Sequence, residues 1–194
     1  MRYRYGSSAP VWALIATNVV VFIMTTARPD IGNYLAVTKP IIDSHYWTIL
    51  TAMFVHANFS HILLNMLTFY FFGTTCLQLI DSKWFLLVYF VGGIVGNILF
   101  LLIGPMYSAA VGASGAIFAI GGVLAVMRPK LRVYLYFLIP MPLWLGIVIG
   151  FVLTAFVAGV AWQAHLGGLV VGLIVGFFLR NRERQGLRPS YYRQ

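Results

Sequence analysis

Six apolar runs, each close to the length of a bilayer crossing, divide this sequence, and none contains an Asp or a Glu. They are about Ala9–Ala27, Phe59–Ile80, Trp84–Ile103, Gly112–Met127, Met141–Ala158 and Trp162–Leu179. A hydrocarbon core needs roughly 20 mostly apolar residues per crossing helix. Hydrophobic residues make up 61% of the chain and charged residues only 9%, against about a quarter charged in a soluble domain. A water-soluble core in 194 residues cannot hide that much apolar surface. The expected fold is therefore an all-α membrane protein, a six-transmembrane-helix bundle. The length suits one compact domain over 1–194, with no sequence to spare for a soluble one.

Prolines punctuate the runs. Pro10 suits a first helical turn, Pro105 ends the third run and Pro129 the fourth, and Pro140 and Pro142 introduce the fifth. Leu131–Ile139 lies between two of these prolines and reads as a short interfacial or extended segment. The first run is long enough to span and lacks a small-x-small cleavage site, so it is not a signal peptide. The single cysteine, Cys76, excludes an internal disulfide and a multi-cysteine metal site.

Charge sets the orientation. With six spans, the N-terminus, second loop, fourth loop and C-terminus share one side. All but Arg28 and Lys39 of the 13 Lys and Arg fall there, so both termini are expected to be cytoplasmic. The net charge of +9 reflects this bias and not a nucleic-acid surface. The basic tail 180–194 reads first as a topology anchor. It also suits anionic membrane lipids, at about 1 kcal/mol per charge near the surface. The longest loop, Arg28–Val55, carries Tyr46 and Trp47 and is expected at the interface, on the outer side.

Polar side chains in lipid are costly and mark cavities, partner helices or sites. All four acids, Asp30, Asp43, Asp81 and Glu183, fall outside the runs. That argues against proton-relay pumps and aspartyl intramembrane proteases, and the absence of a His-Glu-x-x-His sequence argues against a zinc protease. What remains is His56, His61 and Asn65 at the start of span two, Ser114 at the start of span four, and His165 at the start of span six. In this topology all even-numbered spans enter from the outer side, so three regions place polar groups at one depth.

Each has an ordinary alternative: Ser114 as a packing or back-bonding residue, His165 as a satisfied core histidine, His61 and Asn65 as interhelical glue. The neighbours favour chemistry. Gly112 and Gly115 flank Ala113-Ser114 with little bulk, and a helix N-terminus offers unpaired N–H groups. Gly168, Gly172 and Gly176 recur every four residues, which lets helices approach closely and brings a nucleophile–base pair within reach. His61 and Asn65 share a helix face and suit oxyanion donors. His56 has a supporting role, and Phe118, one turn after Ser114, is placed to lie against the His165 ring. Asn97 reads as packing, and His45 has no assigned role.

These residues form patterns. His56-Ala57-Asn58-Phe59-Ser60-His61-Ile62-Leu63-Leu64-Asn65 resembles the rhomboid pattern H-x4-H-x3-N. Gly112-Ala113-Ser114-Gly115 is similar to the rhomboid G-x-S-G, and Ala164-His165-Leu166-Gly167-Gly168 to its A-H-x-x-G. In this order, on spans two, four and six, they resemble the minimal six-helix form of the rhomboid family. The resemblance implies an intramembrane serine endopeptidase in the cell membrane, its active site opening to the extracytoplasmic side. Its partners would be transmembrane protein substrates. It implies a Ser114–His165 dyad, an oxyanion hole from His61, Asn65 and the Ser114 backbone N–H, and no metal or cofactor. A substrate helix would enter laterally between spans two and five. Two departures concern structural positions: Trp47-Thr48 where the family often has Trp-Arg, and Leu77-Gln78 where it often has a Glu. The rival readings are a non-catalytic rhomboid-like protein that binds membrane clients and a small-solute transporter. Retention of Ser114 and His165 argues against the first, and the lack of membrane acids and repeats against the second.

Overall fold

The computed structural model describes residues 7–135, 139–157 and 159–185. α1 (Ala9–Ala27) starts with Pro10 in its first turn, where a missing N–H costs nothing. The long loop that follows folds into α2 (Pro29–Leu35), β1 (Val37–Thr38), a tight helical turn at Lys39–Ile41, α3 (Thr48–Thr51) and a second tight turn at Ala52–Phe54. α4 (Phe59–Cys76) is capped by Asn58, whose side-chain oxygen accepts the His61 N–H at 2.9 Å. α5 (Ser82–Ile103) is capped in the same way by Asp81, which accepts the Trp84 N–H at 2.9 Å. Each cap satisfies one N–H that the first helical turn leaves unpaired. β2 (Ala109–Ala110) pairs antiparallel with β1. After α6 (Ser114–Met127), β3 (Arg132–Leu135) and β4 (Ile139–Pro142) form a second antiparallel pair. α7 (Leu143–Ala155) and α8 (Trp162–Arg184) complete the described chain.

α6 is the central helix, with buried residues all round it, and α4, α5, α7 and α8 pack against it. Helices in lipid gain little from burying apolar groups against one another, so close approach of small residues has to supply the packing. Gly168 and Gly172 of α8 face α6, where a Cβ on either would overlap the carbonyl oxygen of Gly115 or Ala119. On the α5 side, a Cβ at Gly167 would lie 2.8 Å from Gly96 Cα. Backbones thus meet where most helix pairs are held apart by side chains.

The outer faces of these helices are apolar. Val20, Ile23, Leu63, Leu64, Ile98, Ile174 and Phe177 are all exposed, as suits lipid and not water. The chain is an integral membrane protein. Among the described residues α1, α5 and α8 are each long and apolar enough to cross a bilayer, and α4 joins them when counted with Thr48–Phe54 across a 90° bend. α6 and α7 are apolar but shorter, at 14 and 13 residues. At 1.5 Å per residue α6 is roughly 21 Å long, against about 30 Å of hydrocarbon.

Several expectations need amending. The fold is mostly helical and not purely so, since two short antiparallel pairs are present. The second run was expected to reach Ile80, but α4 ends at Cys76. Leu77–Ile80 form a turn, buried at Leu77 and Ile80, whose N–H groups return to Gly73, Thr75 and Cys76. Hydropathy cannot separate a buried turn from a buried helix. α5 begins two residues early because the Asp81 cap defines its start, and α6 begins two residues late because Gly112 has φ +117°, outside any right-handed helix. The fifth run starts at Leu143, since Met141 and Pro142 belong to β4; Ala158, its expected end, lies outside the described residues. α8 runs past Leu179 to Arg184, and there Glu183 accepts two hydrogen bonds from the Arg128 guanidinium at 2.9 and 3.0 Å. Of the tail, 186–194 lies outside the described residues, as do Arg2 and Arg4. So do residues 136–138 of the segment between the prolines; Arg132–Leu135 and Ile139 are extended in the β3–β4 pair.

The long loop is more than an interfacial ribbon. Tyr46 and Leu50 are exposed, but Val37, Thr48, Ala52 and Met53 are buried. Asn97 of α5 donates to the Ile49 carbonyl at 2.8 Å, a structural tie between loop and bundle.

Candidate active site

The N-terminal ends of α4, α6 and α8 come together, and each carries one of the polar side chains singled out above. Ser114 is the first residue of α6. The chain reaches it through Gly112, whose N–H donates to the Ala52 carbonyl at 2.9 Å. That bond pins the approach to α6 against the turn just before α4. The positive φ at Gly112 then aims the next residues into the helix, a conformation L side chains rarely adopt. A second constraint also demands glycine: a Cβ there would lie 2.8 Å from His61 Nε2 and 3.7 Å from Ser114 Oγ. His61 and Ser114 therefore flank the same glycine.

Ser114 Oγ and His165 Nε2 are 2.7 Å apart, an ordinary hydrogen-bond length for a hydroxyl. His165 is only 6% exposed. Its ring stacks on Phe118, with centroids 4.7 Å apart and planes 26° from parallel. Phe118 in turn meets Phe151 of α7 edge-on at 6.2 Å. The other ring nitrogen, Nδ1, lies 3.1 Å from Thr154 Oγ1, and that hydroxyl is 3.0 Å from the Phe151 carbonyl. The imidazole is thus held at both nitrogens and on one face. Gly115 lets this happen: it is where α6 meets α8, with the Ala164 carbonyl 3.1 Å from where its Cβ would be.

On α4, the Ala57 N–H points at His61 Nδ1 at a long 3.4 Å. A nitrogen that accepts carries no hydrogen, so this contact favours the His61 proton on Nε2, the edge beside Gly112. Asn65, one turn on, donates one N–H to the His61 carbonyl at 2.9 Å, and its Oδ1 is buried without a partner. His56 is buried behind His61, with ring centroids 5.0 Å apart. It contacts the Phe54 carbonyl at 3.3 Å through Nδ1. It touches neither Ser114 nor His165 through any described hydrogen bond.

The described geometry is that of a serine hydroxyl within hydrogen-bond distance of a histidine ring nitrogen, at the start of a helix and beside a second histidine. A model of the Rhomboid domain family matches residues 43–182, the stretch that contains all of these groups. The chain belongs to the rhomboid family. It is 31% identical over 176 residues to the putative rhomboid protease YdcA of Bacillus subtilis, covering 90% of this chain and 84% of that one. It is 33% identical over 142 residues to the rhomboid protease GlpG of Haemophilus influenzae, covering 70% of each. To Rhomboid protein 1, mitochondrial, of Saccharomyces cerevisiae it is 28% identical over 195 residues, covering 87% of this chain and 53% of that one. The chain thus spans about half the length of the yeast relative. Rhomboid relatives named as proteases place it in a protease family.

Sequence reasoning passed over Thr154 and Phe151 in this rhomboid site. Thr154 carries the one hydroxyl in α7, and that is the signal which would have found it. Nothing in its spacing from His165 shows that α7 folds back over the ring. Asn58 was read only as a letter of the His-rich pattern, whereas its side chain starts the helix that carries His61.

Proposed function

We propose that this chain is an intramembrane serine endopeptidase that cleaves membrane-anchored proteins in or near their transmembrane segments. The observation that carries the reading is the 2.7 Å contact between Ser114 Oγ and His165 Nε2, partly buried in an apolar bundle. Ser114 attacks the scissile carbonyl while its proton passes to His165 Nε2. The oxyanion that forms is held by His61 Nε2–H, the remaining N–H of the Asn65 amide and the backbone N–H of Ser114, which no helical bond uses. As the C–N bond breaks, His165 returns the proton to the leaving amine. A water then gives its proton to His165 and attacks the acyl-enzyme, and Ser114 regains its hydrogen as the ester opens. Phe118 holds the imidazole plane, Gly112 and Gly115 keep His61 and α8 close, and His56 buttresses His61. None of these steps draws on a metal or cofactor.

The chain is read as one domain with six crossings and both termini cytoplasmic, in the cell membrane. The distribution of Lys and Arg supports this. With α6 ending at the cytoplasmic face, its short length leaves Ser114 sunk beneath the outer boundary, opening to the extracytoplasmic side. The 90° bend before α4 and the slim packing of α7 support lateral substrate entry between them.

The test is cleavage of a single-span substrate by the purified protein in liposomes. Activity in the wild type and none in Ser114→Ala or His165→Ala is expected. An inactive wild type whose Ser114 also resists a fluorophosphonate would turn the assignment to a client-binding protein.

A further inference from the structure

We propose that Thr154 is a positioning residue of this site, which holds His165 in the one tautomer able to accept the serine proton. The proposal rests on the Ser114–His165 reading above. A neutral imidazole carries one hydrogen, on Nδ1 or on Nε2, and only the Nδ1–H form leaves Nε2 open to the Ser114 hydroxyl. The three contacts around the ring choose between the forms. With the hydrogen on Nδ1, Ser114 donates to Nε2 at 2.7 Å, Nδ1 donates to Thr154 Oγ1 at 3.1 Å, and Thr154 donates to the Phe151 carbonyl at 3.0 Å. All three bonds are made. With the hydrogen on Nε2, the single Thr154 hydrogen has to serve Nδ1, and its bond to Phe151 is lost. His165 is buried and Thr154 is only partly exposed, which raises the cost of that loss.

The arrangement does neutrally what a carboxylate does elsewhere: it orients the base and keeps its outer nitrogen protonated. α4, α6 and α7 contain no acid, and the one acid of α8, Glu183, is at the opposite end from His165. The same hydroxyl still accepts from Nδ1 after His165 has taken the serine proton, so the bond persists through the reaction. Thr154 is also on a different helix from both dyad members. Only Leu143 and Ile147 of α7 are buried, and Leu153, Phe156 and Val157 near its end are exposed. The position of α7 therefore sets whether the base is oriented.

The experiment replaces Thr154 with Val, which keeps the shape and removes the hydroxyl, and with Ser, which restores it. One net hydrogen bond is worth about a factor of ten. Thr154→Val is expected to lower kcat about tenfold with KM unchanged and to slow fluorophosphonate labelling of Ser114 by the same factor, and Thr154→Ser to recover both. In wild-type protein carrying 15N-histidine, the His165 ring signals are expected to show hydrogen on Nδ1; this reading needs no variant to fold. Wild-type rates in Thr154→Val, failure of Ser to rescue, or a hydrogen on Nε2 in the wild type would each overturn the proposal. Ser114→Ala and His165→Ala run alongside. If either still cleaves, the dyad itself falls; if both are dead while Thr154→Val is normal, only the role of Thr154 does.

Discussion

Gly168 of α8 lies so close to α6 that a Cβ on it would overlap the carbonyl oxygen of Gly115. One residue beyond Ser114, the backbone of α6 is therefore in direct contact with the helix that carries His165. The sequence separation of 51 between Ser114 and His165 is bridged by that contact.

Gly168→Leu is expected to push α6 and α8 apart. Overpacking costs about 1–3 kcal/mol in yielding cores, and here the obstacle is backbone, so a loss at the upper end of that range is expected. Thermal unfolding in detergent micelles reads it, and a melting temperature equal to the wild type would show that the helices are not in register as described.

Gly112→Ala places a methyl group against the His61 ring and forces an L residue to φ +117°. Displacement of a catalytic group by about 1 Å costs on the order of 10²-fold. Cleavage should fall by that order while the protein still extracts and purifies as the wild type does. Full activity would separate His61 from the site.

His61→Ala removes the Nε2–H beside Ser114, and Asn65→Ala removes the amide one turn on. Loss of one oxyanion donor costs about 10²–10³ in kcat. The expected signature is a fall in kcat with little change in KM, measured over a range of substrate-to-lipid ratios. A change in KM alone would make these residues substrate contacts.

Asn58→Ala uncaps α4 and is expected to cost about 1 kcal/mol, seen as a lower unfolding midpoint. Asn58→Asp keeps the acceptor for the His61 N–H and should recover most of it. An equal loss in both variants would argue that the amide group, not the cap, matters.

The apolar runs were legible because lipid imposes one rule on every crossing: hide the backbone in a helix and present apolar side chains. Their cores survive in α1 and α4 to α8, and only their ends moved. Those ends depend on an Asn58 or Asp81 cap, on a left-handed Gly112, or on a turn such as Leu77–Ile80, and none of these shifts the hydropathy. The long loop was the least legible part. Its residues Val37 and Ala52 are buried through β2 and the Gly112 N–H, partners more than 50 residues away.

The polar residues of the site stood out for the same physical reason, since a Ser, a His or an Asn within an apolar run has to be accounted for. Sequence alone determined that the chain lives in a membrane, which few polar groups enter it, and that three of its helices begin with them. Only the tertiary structure decided that Gly115 and Gly168 bring Ser114 to His165, and that Phe118 and Thr154 hold the ring between α6 and α7. Solvent preference is a property of each residue, written at its own position. The orientation of an imidazole is a property of contacts among α6, α7 and α8, and those exist only once the helices have packed.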